Sequence, residues 1–145
     1  DVKQTGKRKK TGTKVTFKAD PTVFETTDYS YDVLAGRLGE LGFLNRGLEI
    51  NLADERSEKE TTYLYRGGIN EFVEHLSKKA TPLHPKPVYF AGERDLVQVE
   101  MSLRWTDSYN ERLFSFANNI NTREGGTHLT GFRAALTPTQ NPYIG

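Results

Sequence analysis

Residues 118–128, Asn-Asn-Ile-Asn-Thr-Arg-Glu-Gly-Gly-Thr-His, hold the grouping whose residue types and spacing best suit a chemical task. Gly125 and Gly126 lead into Thr127, a helix-capping residue followed by Leu129, Phe132 and Leu136 at helical spacing. A glycine pair entering a helix N-terminus presents free backbone N–H groups, and Arg123 adds positive charge beside them. Together these suit an anion such as a phosphate group. The same residues also read as an ordinary loop-to-helix turn whose glycines supply positive φ. A second basic feature, Lys7-Arg8-Lys9-Lys10, reads either as a nucleic-acid contact or as a solvated loop.

Other chemistry is thinly supplied. Of the three histidines, His75 falls on the polar face of an amphipathic stretch, His84 lies between prolines, and His128 follows the glycine pair. No two of them have metal-ligand spacing, so no metal site is expected. Adjacent acids such as Asp54-Glu55 read as a solvated hairpin tip. There is no Gly-x-Ser-x-Gly elbow and no Gly-x-x-x-x-Gly-Lys phosphate loop, so no catalytic residue is assigned. The absence of cysteine excludes a disulfide framework and thiolate zinc, in keeping with a reducing compartment.

The elements that must position these residues follow from periodicity. Thr13-Lys14-Val15-Thr16-Phe17-Lys18 alternates like a strand, and Asp20-Pro21 ends it, because proline cannot donate to a ladder. A lone strand needs a sheet to join, so the chain is expected to be cut from a longer protein. Tyr31, Leu34, Leu38 and Leu41 recur at helical spacing behind the capping candidates Asp28 and Ser30. Gly36, Gly39 and Gly42 weaken this helix by about 1 kcal/mol each relative to alanine. They leave two readings, close backbone packing on a sheet or a weak helix carried by its tertiary context. Residues 47–54, with Leu48, Ile50 and Leu52 inward, and residues 60–65 form a hairpin around the charged stretch 54–59. Ile69, Phe72, Val73 and Leu76 mark a second amphipathic helix. Pro82, Pro85 and Pro87 stiffen the connection that follows.

Val97, Val99, Met101, Leu103 and Trp105 alternate with polar residues, which predicts a long strand with one buried face and an antiparallel neighbour. Residues 111–118, with Leu113, Phe114 and Phe116, are the expected partner across a turn at 107–110. The final helix begins at Thr127. The order of elements predicts an α+β domain, a mostly antiparallel sheet with helices on one face.

At 145 residues the chain suits one domain, or one domain with part of another, and its short apolar runs exclude a transmembrane helix. No targeting segment is visible. The net charge of +1 hides an uneven distribution: the first twenty residues carry +5 and the remainder −4.

The residues also spell a family pattern. Gly12-Thr13-Lys14-Val15-Thr16-Phe17, Asp20-Pro21 and Phe24 resemble the G-T-x-V-x-F-x-x-D-P-x-x-F segment of the bacterial DNA gyrase B family. Leu34-Ala35-x-Arg37-Leu38-x-Glu40-Leu41-x-Phe43-Leu44-Asn45-x-Gly47 resembles the family's next helix, and Gly67-Gly68-Ile69-x-x-Phe72-Val73 continues in register. The longest match is Phe116-x-Asn118-Asn119-Ile120 with Arg123-x-Gly125-Gly126-Thr127-His128-Leu129-x-Gly131-Phe132-Arg133-Ala134-Ala135-Leu136-Thr137. The ATPase component of topoisomerase IV shares much of this pattern, and Phe-x-Asn-Asn-Ile is closer to gyrase. A stand-alone α+β nucleic-acid-binding module is the other alternative.

The resemblance implies that residues 1–25 end an ATP-binding domain of the gyrase–Hsp90–kinase–MutL type. Residues 26–145 then belong to a transducer domain, truncated at its C-terminal end. That domain resembles the second domain of a small-subunit ribosomal protein, with a left-handed βαβ crossover. The transducer couples ATP binding and hydrolysis to DNA gate closure and strand passage in negative supercoiling. Thr13 and Val15 match residues lining the adenine pocket, and Arg123 matches an arginine facing the cavity through which captured DNA passes. The implied cofactors are ATP and Mg2+ in the full-length protein, with none expected on this chain. The implied partners are DNA, gyrase A and a second copy of gyrase B, in the cytoplasm and away from membranes. The family's catalytic glutamate, magnesium-ligand asparagine and glycine-rich lid fall before Asp1, and its Gln-Thr-Lys loop falls after Gly145, so no ATP hydrolysis is expected from the chain alone.

Two departures from the pattern carry expectations. The family usually has Lys, Arg and Ala where Gly36, Gly39 and Gly42 stand, so a helix of lower stability is expected. Pro138 and Pro142 interrupt the family's usual continuation, so the last helix is expected to stop near Thr137.

Overall fold

A computed structural model describes residues 6, 7, 9 and 11–140. Arg8 and Lys10 of the basic head, and everything beyond Gln140, lie outside the described residues. The chain divides into two compact units, Asp1–Ser30 and Tyr31–Gly145.

In the first unit the expected strand at 13–18 does not form: this stretch is extended and no ladder includes it. A strand needs a neighbour for its N–H and C=O groups, and the described residues of this unit contain no other strand. What order there is comes from the turn behind it. The Asp20 carbonyl accepts from the N–H groups of Val23 and Phe24, both at 3.1 Å. Its carboxylate accepts from the Thr22 hydroxyl at 2.7 Å and backbone N–H at 2.8 Å, and these bonds hold its pKa below the usual carboxylate value. Phe17 meets the Tyr29 ring edge-on, with centroids 5.4 Å apart.

The second unit is α+β, with every strand pairing antiparallel. Helix α1, Tyr31–Leu44, is followed by β1, Glu49–Asp54, and β2, Lys59–Leu64, which form a ribbon in the register Asp54↔Lys59. Helix α2 spans Ile69–Leu76. Strands β3, Val88–Arg94, and β4, Val97–Leu103, form a second ribbon. The short strands β5, Phe116–Ala117, and β6, Ile120–Asn121, form a third, and α3 spans Thr127–Gln140. The strands stand as three two-stranded ribbons rather than one joined sheet.

Two of the three glycines of α1, Gly39 and Gly42, resolve in favour of close packing. A Cβ on Gly39 would lie 3.4 Å from Cε1 of Tyr63, and one on Gly42 would lie 3.1 Å from Cδ2 of Tyr65. The helix backbone therefore rests on two tyrosine rings of β2 and its exit. Phe43 extends the contact, stacked on Tyr65 with centroids 3.5 Å apart and 4.9 Å from Phe72 of α2. Phe43 and Phe72, at 4% and 8% exposure, are the buried large side chains of this unit among the described residues. Burial pushes the phenols of Tyr63 and Tyr65 up in pKa. Ile50 and Leu52 point inward as expected, but Leu48 precedes the ribbon and is exposed.

The partner of the alternating strand differs from expectation. Strand β4 pairs with the upstream β3 across a two-residue turn in which Asp95 and Leu96 both have positive φ, 51° and 65°. Positive φ at both positions gives the turn the twist that a right-handed ribbon requires. Beyond β3 the proline stretch continues alongside: Pro82 bridges Thr106, and the Leu83 N–H donates to the Trp105 carbonyl at 3.0 Å. Asp107 closes this end by accepting from the Thr81 side chain and from the Thr81 N–H, the latter at 2.9 Å, and these bonds lower its pKa. Residues 111–115 form no strand, and Phe114 instead meets Phe72 edge-on at 5.2 Å.

Helix α3 runs past its expected end, with Pro138 inside it. Proline removes one N–H donor, yet the hydroxyls of Thr137 and Thr139 donate to the carbonyls of Arg133 and Ala135 at 3.0 and 2.8 Å. The helix is thereby tied back on both sides of the proline. Leu129, Phe132 and Leu136 are its half-buried residues, as their spacing predicts.

This packing makes two positions of α1 respond in opposite ways. Gly36 has open space around it while Gly42 does not. Gly36→Ala should raise stability in denaturant melts by up to about 1 kcal/mol. Gly42→Ala should lower it by about 1 kcal/mol or more, because Tyr65 is held on Phe43 and cannot retreat. A separate expectation concerns Asp54, whose carboxylate accepts from the backbone and guanidinium N–H groups of Arg56 at 3.0 Å and is lowered to a pKa of about 2. A depressed folded-state pKa stabilises above the unfolded value and is lost as pH falls toward 2. In an NMR titration, Arg56→Ala should raise the Asp54 pKa part of the way back toward the ordinary carboxylate range, because the backbone N–H of residue 56 still donates to it.

Candidate nucleic-acid interface

The candidate site is the turn that carries Arg123, and three sets of contacts shape it. The first is the β5–β6 ribbon. Its two-residue tip, Asn118-Asn119, has φ of 47° and 65°, a left-handed conformation that asparagine tolerates better than most residues. The ribbon ends at Asn121. The Gly125 N–H then donates to the Thr122 carbonyl at 2.9 Å, closing a turn with Arg123 and Glu124 as its central residues. Gly125 leaves that turn at φ 83°, where glycine carries no Cβ penalty. The Thr130 N–H donates to the Gly126 carbonyl at 3.0 Å and starts α3.

The second set fixes the base of the turn. Nε2 of His128 lies 2.6 Å from the Ser115 hydroxyl and 3.2 Å from that of Thr122. The Thr122 hydroxyl donates to Ser115 at 2.8 Å, and the Thr122 N–H donates to the Ser115 carbonyl at 2.8 Å. Serine, threonine and histidine from three places in the chain thus close one hydrogen-bond cluster beneath Arg123. Spacing alone gave His128 no such role, because its partner Ser115 lies thirteen residues upstream and carries no motif of its own.

The third set comes from α1. Arg37 donates to the Asn119 carbonyl at 2.7 Å, and the Asn119 side-chain amide donates to Oδ1 of Asn45 at 3.2 Å. Arg37 is itself paired with Glu40 at 2.8 Å. The tip of the ribbon is therefore held from a helix some eighty residues earlier in the chain.

Against this fixed frame Arg123 is exposed, and no hydrogen bond or ion pair to a described residue holds its guanidinium. A permanently charged, outward-facing fork on a braced turn is suited to a diffuse anionic partner such as a phosphate backbone. Arg112 and Arg133, by contrast, are engaged: Arg112 donates to the Leu76 carbonyl at 3.0 Å, and Arg133 pairs with Glu111 at 3.4 Å.

Thr13 and Val15 belong to the first unit and are exposed, Val15 at 76%. Lys7 and Lys9 are also exposed there. Among the described residues no group of three or more His, Asp or Glu is placed to hold a metal ion. No helix among them is long and apolar enough to cross a membrane.

The DNA gyrase B family model matches residues 68–145. The DNA gyrase B protein of Myxococcus xanthus is 48% identical over 141 residues, covering 97% of this chain and 17% of that protein. In three dimensions the chain is similar to the crystal structure of the B-subunit of the DNA gyrase from the same organism. The TM-score is 0.75 at 32% identity, over 81% of this chain and 34% of that one. It is equally similar, at TM-score 0.75 and 34% identity, to the 43K ATPase domain of Thermus thermophilus gyrase B, crystallised with an aminocoumarin; 86% of this chain and 34% of that one are covered. The chain thus spans a minor part of its relatives, from 17% to 36% of the curated ones compared.

Proposed function

Because the chain belongs to the DNA gyrase B family, we propose that it joins the end of that protein's ATP-binding domain, residues 1–25, to its transducer domain, residues 26–145. In this reading the parent is the ATPase component of a cytoplasmic type IIA topoisomerase that introduces negative supercoils. It works with DNA, gyrase A and a second copy of gyrase B. The transducer carries nucleotide-driven closure of the paired gyrase B copies toward the DNA-cleaving part of the enzyme.

The observation that carries this reading is the Arg123 turn, an unengaged guanidinium on a braced loop within the motif the family shares. Contacts of this kind reach phosphates rather than base edges, so binding should be sensitive to salt and indifferent to sequence. A rigid body transmits a signal only if its ligands favour one of its orientations over another. DNA held by Arg123 and nucleotide bound upstream supply two such ligands.

ATP and Mg2+ belong to the full-length protein. Thr13 offers an exposed hydroxyl and Val15 an exposed isopropyl group, which fit one wall of a purine pocket. Residues 11–18 contain no carboxylate or carboxamide to hold a magnesium-bound triphosphate. The nucleotide supplies the energy of closure when bound; these two residues orient its base, and the chain by itself does not turn it over.

Arg123→Gln in the intact enzyme should reduce supercoiling and DNA-stimulated ATP turnover by about fivefold or more while basal turnover holds, the size expected of one site-to-site coupling. Steady-state ATP turnover with and without linear duplex DNA measures this. Undiminished DNA stimulation in the variant would rule out the assignment.

A further inference from the structure

The bonds from α1 to the β5–β6 tip suggest a role beyond fastening. A ribbon of two residues per strand cannot hold its own orientation in water. Its direction, and that of the Arg123 turn that follows, depends on what grips it at either end. The base is gripped locally by Ser115, Thr122 and His128. The tip is gripped by Arg37, with Asn45 on the Asn119 side chain.

We propose that Arg37 is a positioning residue for Arg123: it transmits the attitude of α1 to the DNA-contacting turn by holding the Asn119 carbonyl. The proposal rests on the reading of Arg123 given above. Helix α1 begins at Tyr31, the first residue of the second unit. Arg37 lies six positions further on, about 9 Å along the helix axis at 1.5 Å per residue. Its guanidinium makes two engagements, NH1 to Glu40 on its own helix and NH2 to Asn119. The planar fork serves both at once, so the side chain is braced against the helix while it pulls on the ribbon; a lysine ammonium cannot reproduce that geometry. Asn119 is four residues from Arg123. Between them lie only the two residues of β6 and Thr122, so a displaced tip has little slack in which to dissipate.

The test is a double-mutant cycle in the intact enzyme, with Arg37→Ala and Arg123→Gln singly and together. The readout is DNA-stimulated against basal ATP turnover, with thermal melts of each variant. If Arg37 acts through Arg123, Arg37→Ala lowers DNA stimulation by about fivefold in the native background and has no further effect in the Arg123→Gln background. Arg37→Lys behaves like the alanine variant rather than rescuing. Equal losses in both backgrounds, or none in either, overturn the proposal and leave the Arg123 reading intact. An Arg123→Gln enzyme with full DNA stimulation overturns both. Should Arg37→Ala fail to fold, Arg37→Lys takes its place in the cycle, since it keeps the charge and the aliphatic stem and removes the fork that holds the Asn119 carbonyl. It should then reduce DNA stimulation in the same non-additive manner, and an additive loss counts against the proposal.

Discussion

The second unit is organised around one close approach, the backbone of α1 lying directly on the rings of Tyr63 and Tyr65. A helix with a side chain at position 42 would press on the Tyr65 ring, while one at 39 would just touch Tyr63. The approach puts Phe43 flat against Tyr65 and brings it to Phe72, and from Phe72 the contacts run on to Phe114 and Phe116. Aromatic pairs in such geometries contribute about 0.5–1.5 kcal/mol each beyond the area they bury. Three glycines weaken α1 as an isolated helix, and its place in the structure comes from this contact. The same placement sets Arg37 and Asn45 where they can reach Asn119.

The ribbons depend on left-handed residues that are not glycine. Glu58, the pair Asp95-Leu96 and the pair Asn118-Asn119 all sit at positive φ. Each such residue costs some backbone strain, accepted because the turn twist must match the strands it joins. At Asn118-Asn119 the strain is offset, since the carbonyl of Asn119 is bonded to Arg37 of α1 and its side chain to Asn45, the residue that follows the helix. The Arg123 turn inherits its position from that arrangement. Its charge makes no bond to a described residue, whereas arginines 112 and 133 each have a partner.

How much was legible beforehand varies with the kind of signal. The amphipathic spacing of Ile69, Phe72, Val73 and Leu76 predicted α2, and the alternation from Val97 predicted β4, but Val97, Val99 and Trp105, on the face expected to be buried, are exposed. The partner of β4 was misjudged because Asp-Leu is a poor hairpin signal and the three prolines looked like a linker rather than a ribbon margin. The extent of α3 was misjudged because Pro138 reads as a stop, while the hydroxyls of Thr137 and Thr139 help to hold the helix through it. At the candidate site, Arg123 and its glycines stood out by type. Arg37, Asn45, Ser115 and the service of His128 did not, since nothing in a one-dimensional pattern says which side chains meet across eighty residues.

The sequence by itself determined the local elements, the family and the charged residue at the candidate interface. These depend on periodicities, turn residues and ordered motifs that are written along the chain. Tertiary structure alone decided that Gly39 and Gly42 are contact surfaces rather than weak points. It also decided which strand pairs with which, and that the tip of the β5–β6 ribbon, four residues before Arg123, is bonded to a helix far upstream. The physical reason is the range of the forces involved. Helix and turn preferences act over a few residues, whereas ring stacking and hydrogen bonds to a carbonyl exist only once distant segments are within a few ångströms of each other.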